Sequence, residues 1–133
     1  MNKKREKILI DTLEGCVDIE NVDVKKYLKD LQDFGKNIKK KEFFADILNF
    51  CNVLGNQERL KIIQSLQKKD HCVCELEAIL DKSQSTISHH LRELEKIGLI
   101  RGWKKGKFTH YDIIKGKMEY YLNILNEKLV TTK

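Results

Sequence analysis

Apolar residues recur at intervals of three and four along most of this 133-residue chain, and that period breaks at Gly98. The break constrains the fold more than any other feature. Before it, Ile87, Leu91 and Leu94 mark one face of a helix. After it, residues 99–103 and 108–113 are strand-like runs joined by Lys104-Lys105-Gly106-Lys107, which predicts a β-hairpin. The helical period then returns over residues 117–130, with Met118, Leu122, Leu125 and Leu129 at four-three-four spacing. Such a seam at the end of a small domain predicts a dimerisation helix.

The elements upstream fall into line with this reading. Residues 42–54 carry two adjacent apolar stripes, Phe43, Ile47, Phe50, Leu54 and Phe44, Leu48, Cys51. A face that wide predicts burial against a partner as well as a core. Gly55 ends this helix and Asn56 caps the next, over residues 57–67, with Leu60, Ile63 and Leu66 inward. A short helix over residues 73–80 places Leu76, Ile79 and Leu80 inward. After a turn at Asp81-Lys82, Ser83 caps a helix that runs to about Ile97. Proline is absent throughout, which removes the usual helix breaker. Residues 1–40 read as a Lys-rich helical extension in which Asp23 caps a helix with Val24, Tyr27, Leu28 and Leu31 on its apolar face. Gly35 and the lysines that follow close that pattern. The expected architecture is thus an extension or arm, 1–40, and a mainly α domain with a β-hairpin wing, 41–133.

Charge and cysteine usage narrow the function. Lys and Arg number 26 against 20 Asp and Glu, and a positive field on so small a domain suits a polyanion. No stretch approaches the roughly 18 apolar residues of a membrane span. The apolar run Ile8-Leu9-Ile10 is too short for a secretory signal. A cytoplasmic location is therefore expected, with Cys16, Cys51, Cys72 and Cys74 as free thiols or ligands rather than staples. A thiol enzyme is disfavoured because no CxxC pair, base or oxyanion site accompanies Cys72. A membrane-surface role is disfavoured because the charge concentrates on the hairpin.

The segment over residues 73–97 has the grammar of a helix-turn-helix. Ser83-Gln84-Ser85-Thr86-Ile87-Ser88-His89-His90-Leu91-Arg92 crowds short donors and acceptors into two turns, at a cost in helix propensity. An ordinary capped N-terminal turn would account for part of this. Groups of this size also reach base edges and phosphates when a helix lies in the major groove. Two neighbours favour that use. The hairpin turn carries three lysines, and residues 83–111 hold Arg92, Lys96, Arg101, Lys104, Lys105 and Lys107 against Glu93 and Glu95 alone. The expected DNA contacts are Ser83, Gln84, Ser85, Thr86, Ser88, His89 and Arg92 from the helix, with Arg101, Lys104, Lys105 and Lys107 from the wing.

Leu54-Gly55-Asn56-Gln57-Glu58-Arg59-Leu60-Lys61-Ile62-Ile63, then Cys72-Val73-Cys74-Glu75-Leu76, the run from Ser83 to Leu91 and the Gly-bearing hairpin together resemble the ArsR/SmtB family of metal-sensing repressors. The likeness runs over residues 43–129. It implies a winged helix-turn-helix dimer paired through its first and last core helices, a recognition helix beginning at Ser83, double-stranded operator DNA with an inverted repeat as partner, and release by an inducer. Two departures stand out. Asn56-Gln57-Glu58-Arg59 replaces an Asp-Pro-Thr-Arg type of segment, and Asp81 replaces the usual turn glycine, an exchange that a left-handed Asp tolerates.

Cys72-Val73-Cys74 begins the first helix of the motif. With Cys72 still non-helical and Cys74 in the first turn, both sulfurs can converge, and the helix N-terminus favours thiolates. Soft ligands of this kind select Zn(II), Cd(II), Pb(II) or As(III). Two small buried apolar residues would be the plain alternative. The resemblance implies metal ligands, since this pair is similar to the family's thiolate site on the same helix. Where some arsenic-responsive relatives place a third cysteine, this chain has Glu77; other relatives use a thiolate from the opposite subunit's arm, a part open to Cys16. Cys51 is expected in the core, and His71 facing solvent. The family's other site, on the last helix, is disfavoured because residues 118–129 hold no His or Asp. The competing reading is a ligand-independent or redox-responsive winged-helix DNA-binding protein with structural cysteines.

Overall fold

Capping chemistry sets most helix boundaries in the computed structural model, which describes residues 1–16 and 23–130 in two units, Met1–Phe44 and Ala45–Lys133. The first unit holds α1 (Lys3–Cys16) and α2 (Val24–Ile38). Asp23 accepts from the backbone N–H groups of Lys25 and Lys26 and so starts α2. Leu28 is the residue that α2 buries, while Leu31, expected inward, is 40% exposed. The helix also continues through Gly35, where the sequence reading had it stop; one glycine lowers helix propensity by only about 1 kcal/mol.

The second unit is built on α3 (Phe44–Leu54), α4 (Gln57–Lys68), β1 (His71–Cys72), α5 (Val73–Leu80), α6 (Gln84–Lys96), β2 (Ile100–Lys105), β3 (Phe108–Ile113) and α7 (Lys115–Leu129). Phe43 lies outside α3 because its φ of 72° is left-handed, which a helix does not propagate. Asn56 caps α4 through the N–H of Arg59, and Ser83 caps α6 through the N–H of Thr86. Between α5 and α6 the chain turns through Asp81 in the left-handed conformation, φ 54° and ψ 50°. Gly98, at φ 77°, closes α6, and the Leu99 N–H reaches back to the Leu94 carbonyl at 3.1 Å.

The architecture is mainly α with a small antiparallel sheet, a winged helix-turn-helix. The sheet has three strands in the order β1-β3-β2, one more than the hairpin expected from sequence. The extra strand is two residues long, with His71 opposite Tyr111 and Cys72 opposite His110. A two-residue strand carries no alternation to read, so the sequence hid it. The hairpin is also tighter than expected. Lys104 and Lys105 belong to β2, opposite Thr109 and Phe108, and the turn is Gly106-Lys107 alone. Gly106 takes the positive φ of 65° that the first turn position of a type II′ hairpin requires.

The core gathers Ile62, Leu76, Ile87, Leu91, Leu94, Leu99 and Ile100, all fully buried. Each such side chain contributes roughly 1.5–3 kcal/mol relative to leaving it in water. The stripe on α6 is placed as the spacing predicts. Two others are rotated from expectation. On α4, Ile62 joins Ile63 and Leu66 inside while Leu60 is exposed; on α5, Ile79 is exposed beside buried Leu76 and Leu80. Helices α4 and α5 each bear more apolar residues than one face holds, so spacing alone could not choose among neighbouring faces. On α7 the inward residues are Tyr121 and Ile124, and Leu122 and Leu129 of the expected seam lie at the surface. No helix among the described residues is long and apolar enough to cross a membrane.

Candidate nucleic-acid interface and thiol site

The first two turns of α6 divide cleanly between core and surface. Ile87, His90 and Leu91 turn inward, and Gln84, Ser85, His89 and Arg92 are exposed on one face, with Ser88 half-buried between them. The spacing of four from Ser85 to His89, and three more to Arg92, keeps these groups on one stripe. At the start of the helix Ser83 Oγ lies 3.2 Å from Ser85 Oγ and donates to Thr86 Oγ1 at 3.0 Å. Ser83 and Thr86 are therefore partly spent on capping and Ser85 is engaged with Ser83, while Gln84, His89 and Arg92 are exposed on the helix surface.

The wing supplies charge. Arg101, Lys104, Lys105 and Lys107 are all exposed. Lys96 instead pairs with Glu93 at 2.9 Å, which lowers the Glu93 carboxyl below its ordinary range and neutralises one charge of the local excess. With Arg92 on the polar stripe of α6, the exposed cations number five, the kind of charge that can meet phosphates where short side chains reach base edges.

Arg59 ties this stripe to the rest of the unit. Its Nε donates to the Val53 carbonyl at the end of α3, and its Nη1 lies 3.2 Å from Nδ1 of buried His90. A guanidinium only donates, so Nδ1 must be the acceptor and His90 neutral with its proton on Nε2. Burial, then the Arg59 charge, hold the His90 pKa below the ordinary histidine value. Sequence reading passed over both residues; the only available signal was the inward position of His90 on the helical wheel, three residues after Ile87.

The two thiols converge as the sequence led us to expect. Cys72 is the N-cap of α5 with extended backbone, Cys74 sits in the first turn, and their Sγ atoms are 3.0 Å apart. Cys72 is buried and Cys74 exposed. The expected lowering of thiol pKa does not hold for Cys72. Its hydrogen bond with Cys74 and its burial push the thiol up, because both favour the protonated form. The cap is instead completed by Glu75, whose Oε1 accepts from the Cys72 N–H at 3.1 Å and whose Oε2 lies 3.3 Å from His71 Nδ1. These bonds hold the Glu75 carboxyl down to about 2. Glu75 stands three residues after the cap, the spacing of a capping box, and that was its signal in the sequence. His71 is buried, not solvent-facing, because β1 carries it under the sheet.

Two neighbouring soft sulfurs are the donor type that thiophilic ions take. Among the described residues no set of three or more His, Cys, Asp or Glu side chains gathers as a complete cation site. Cys16 is exposed at the end of α1, in the first unit. Cys51 is exposed on α3 rather than in the core, since Phe50 and Val53 take the inward positions.

The pair adjoins the wing and the start of α6. Cys72 is paired with His110 of the wing, whose Nδ1 meets Asp70 Oδ2 at 2.7 Å. Cys74 lines a cleft of about 330 Å³ together with Val73, Glu77, Gln84, Lys107 and Phe108. One wall is the start of α5, one the start of α6, and one the wing.

Comparison with known proteins agrees with this geometry. Residues 56–101 match the family model described as "Bacterial regulatory protein, arsR family". The chain is 38% identical over 88 residues to the cadmium resistance transcriptional regulatory protein CadC of Listeria innocua, covering 62% of this chain and 74% of that protein. It is 33% identical to the putative arsenical resistance operon repressor ArsR of Halobacterium salinarum, over 82% of this chain and 83% of that one. Among solved structures, a possible transcriptional regulator for arsenical resistance aligns with a TM-score of 0.56 at 26% identity, over 60% of this chain and 83% of that one. Reduced HlyU from Vibrio cholerae aligns with a TM-score of 0.54 at 25% identity, over 75% and 99%. The chain belongs to the ArsR family of bacterial transcriptional regulators, a family of regulators rather than enzymes.

Proposed function

We propose that this protein is a homodimeric DNA-binding repressor whose operator affinity falls when a thiophilic metal or metalloid is held by Cys72 and Cys74. The observation that carries the reading is the placement of the thiol pair: two sulfurs 3.0 Å apart at the start of the first helix of the motif, with Cys72 on a strand paired with the wing. Relatives named for cadmium and arsenical resistance support this class of inducer. Cd(II), Pb(II), Zn(II) and As(III) are the soft candidates.

In the DNA-bound form, Gln84, Ser85, Ser88, His89 and Arg92 read the major groove, Ser83 and Thr86 cap the helix against a phosphate, and Arg101, Lys104, Lys105 and Lys107 hold the backbone. Leu48, Leu122 and Leu129, all more than half exposed in one chain, form the seam with a second copy. Two recognition helices related by a twofold then meet successive major grooves of an inverted repeat, about 10 base pairs apart. Cys16, in the extension of residues 1–40, is the thiol that would complete the site if an arm of the opposite subunit supplies a ligand, and the protein works in the cytoplasm with no membrane partner.

Regulation follows from linkage. When Cys72 and Cys74 close on one centre they fix the start of α5 and pull on the β1–β3 pairing, and α5 hands that strain to α6 through Asp81. A state that binds the inducer better binds DNA worse by the same factor, typically 1–3 kcal/mol, roughly 5- to 150-fold. The test is an operator titration with and without Cd(II). The parent protein should release DNA, and the Cys72→Ser, Cys74→Ser variant should bind but not release. Release by that variant at parental Cd(II) concentrations would refute the thiol switch. Cys16→Ser abolishes release only if the arm completes the site.

A further inference from the structure

Directly opposite residues of an antiparallel pair share a face, so Trp103 with His110, then Lys105 with Phe108, follow one another along one side of the wing toward its turn. Near the base this side is covered. The His110 side chain is 15% exposed, its Nδ1 lies 2.7 Å from Asp70, and the Trp103 ring stands 6.2 Å away. On the other side Tyr111 packs over Gly102, where an added Cβ would come within 2.9 Å of the ring. At the tip the cover runs out, and Phe108 is 55% exposed. A lone exposed aromatic is ordinary on a protein surface. This one directly follows the Gly106-Lys107 turn, among exposed Lys104, Lys105 and Lys107, and it shares a cleft with Gln84 at the start of α6. An apolar ring is thus set in the most cationic part of the wing, beside the first turn of α6.

Resting on the reading of the chain as a DNA-binding repressor, we propose that Phe108 is an apolar wedge: the wing tip enters the minor groove beside the half-site met by α6, and the ring inserts part-way between two base pairs and kinks the duplex. The lysines around it neutralise the phosphates that border the groove and hold the tip in place while the ring enters. An apolar side chain so placed unstacks one base step and bends DNA toward the major groove by about 20–90°. The cost of unstacking depends on the step entered, and the pyrimidine–purine steps TA and CA yield most readily. The wing then selects a flexible step at a fixed distance from the half-site, with no hydrogen bond to a base edge. Phe108 is in this way a specificity residue, unlike the neighbouring lysines, which favour any duplex.

The experiment uses the full chain and an operator duplex selected from random sequence with the parent protein. Bending is read by energy transfer between dyes on the two duplex ends, unstacking by the permanganate reactivity of thymines, and affinity by anisotropy. The parent should bend its operator and expose a thymine at one pyrimidine–purine step outside the α6 half-site. Phe108→Leu should keep most of the bend. Phe108→Ala should lose both the bend and the reactive thymine, and about tenfold in operator affinity, from the ring no longer buried. Because no phosphate contact is removed, its salt slope should match the parent's, and because the ring is exposed, so should its Tm. An unbent operator, a bend that Phe108→Ala retains, or a fall in Tm showing that the ring packs within the protein overturns the wedge. If affinity still depends on Lys105 and Lys107 in that event, the wing's role in DNA binding survives. A parent that selects no sequence over random duplex overturns both.

Discussion

Replacing His90 by Leu removes the acceptor for Arg59 Nη1 while keeping an apolar side chain of similar bulk on the inner face of α6. The guanidinium retains its bond to the Val53 carbonyl but loses the one to Nδ1 at 3.2 Å. A hydrogen bond to a charged group is worth about 1.5–3 kcal/mol, and the added apolar burial of Leu offsets part of that. We expect a net loss of about 1–2 kcal/mol at pH 8, or roughly 3–6 °C in Tm for a chain of this size. The pH dependence follows from the lowered His90 pKa. At pH 8 His90 is neutral whether folded or unfolded, and the Arg59 bond is fully present. As pH falls below about 6.5 the unfolded chain takes a proton that the fold resists, so the parent loses stability while the Leu variant has nothing to titrate there. The gap between the two proteins should therefore shrink from pH 8 to pH 5. Chemical denaturation at a series of pH values measures it directly. A gap that is constant or widens toward acid would refute both the tautomer assignment and the role of Arg59.

Three further outcomes are expected. Lys105→Ala with Lys107→Ala should remove about four phosphate contacts from a dimer and lower the slope of log K against log salt by about 3–4, read by operator anisotropy across salt; an unchanged slope would remove these lysines from the interface. Asp81→Val should cost about 1–2 kcal/mol in urea denaturation because a β-branched residue resists the left-handed turn, whereas Asp81→Gly should be at least as stable as the parent. Leu122→Glu with Leu129→Glu should leave the circular dichroism spectrum intact and convert a dimer to monomer by sedimentation; a persisting dimer would place the partner elsewhere.

Periodicity and caps determined much of this protein in advance. Asn56, Ser83 and Asp23 accept their own backbone donors within a few residues, so helix starts are local chemistry and were legible one residue at a time. The same holds for the turn at Asp81, for Gly98, and for the convergence of Cys72 and Cys74, which depends only on a cap and a first turn. The polar stripe of α6 was legible because Ile87, Leu91 and Leu94 are the only apolar residues of the helix and all three turn inward. Where a helix carried surplus apolar residues, as in α4 and α5, tertiary packing chose the face, and Leu60 and Ile79 were left outside. Long-range pairing decided the rest. The two residues of β1 become a strand only because β3, some forty positions later, offers its edge. That pairing buries His71 and Cys72. Arg59 and His90 meet across 31 residues, and Cys74 finds Phe108 across 34; no period or motif encodes such distances, because the partners are brought together only when the whole core closes.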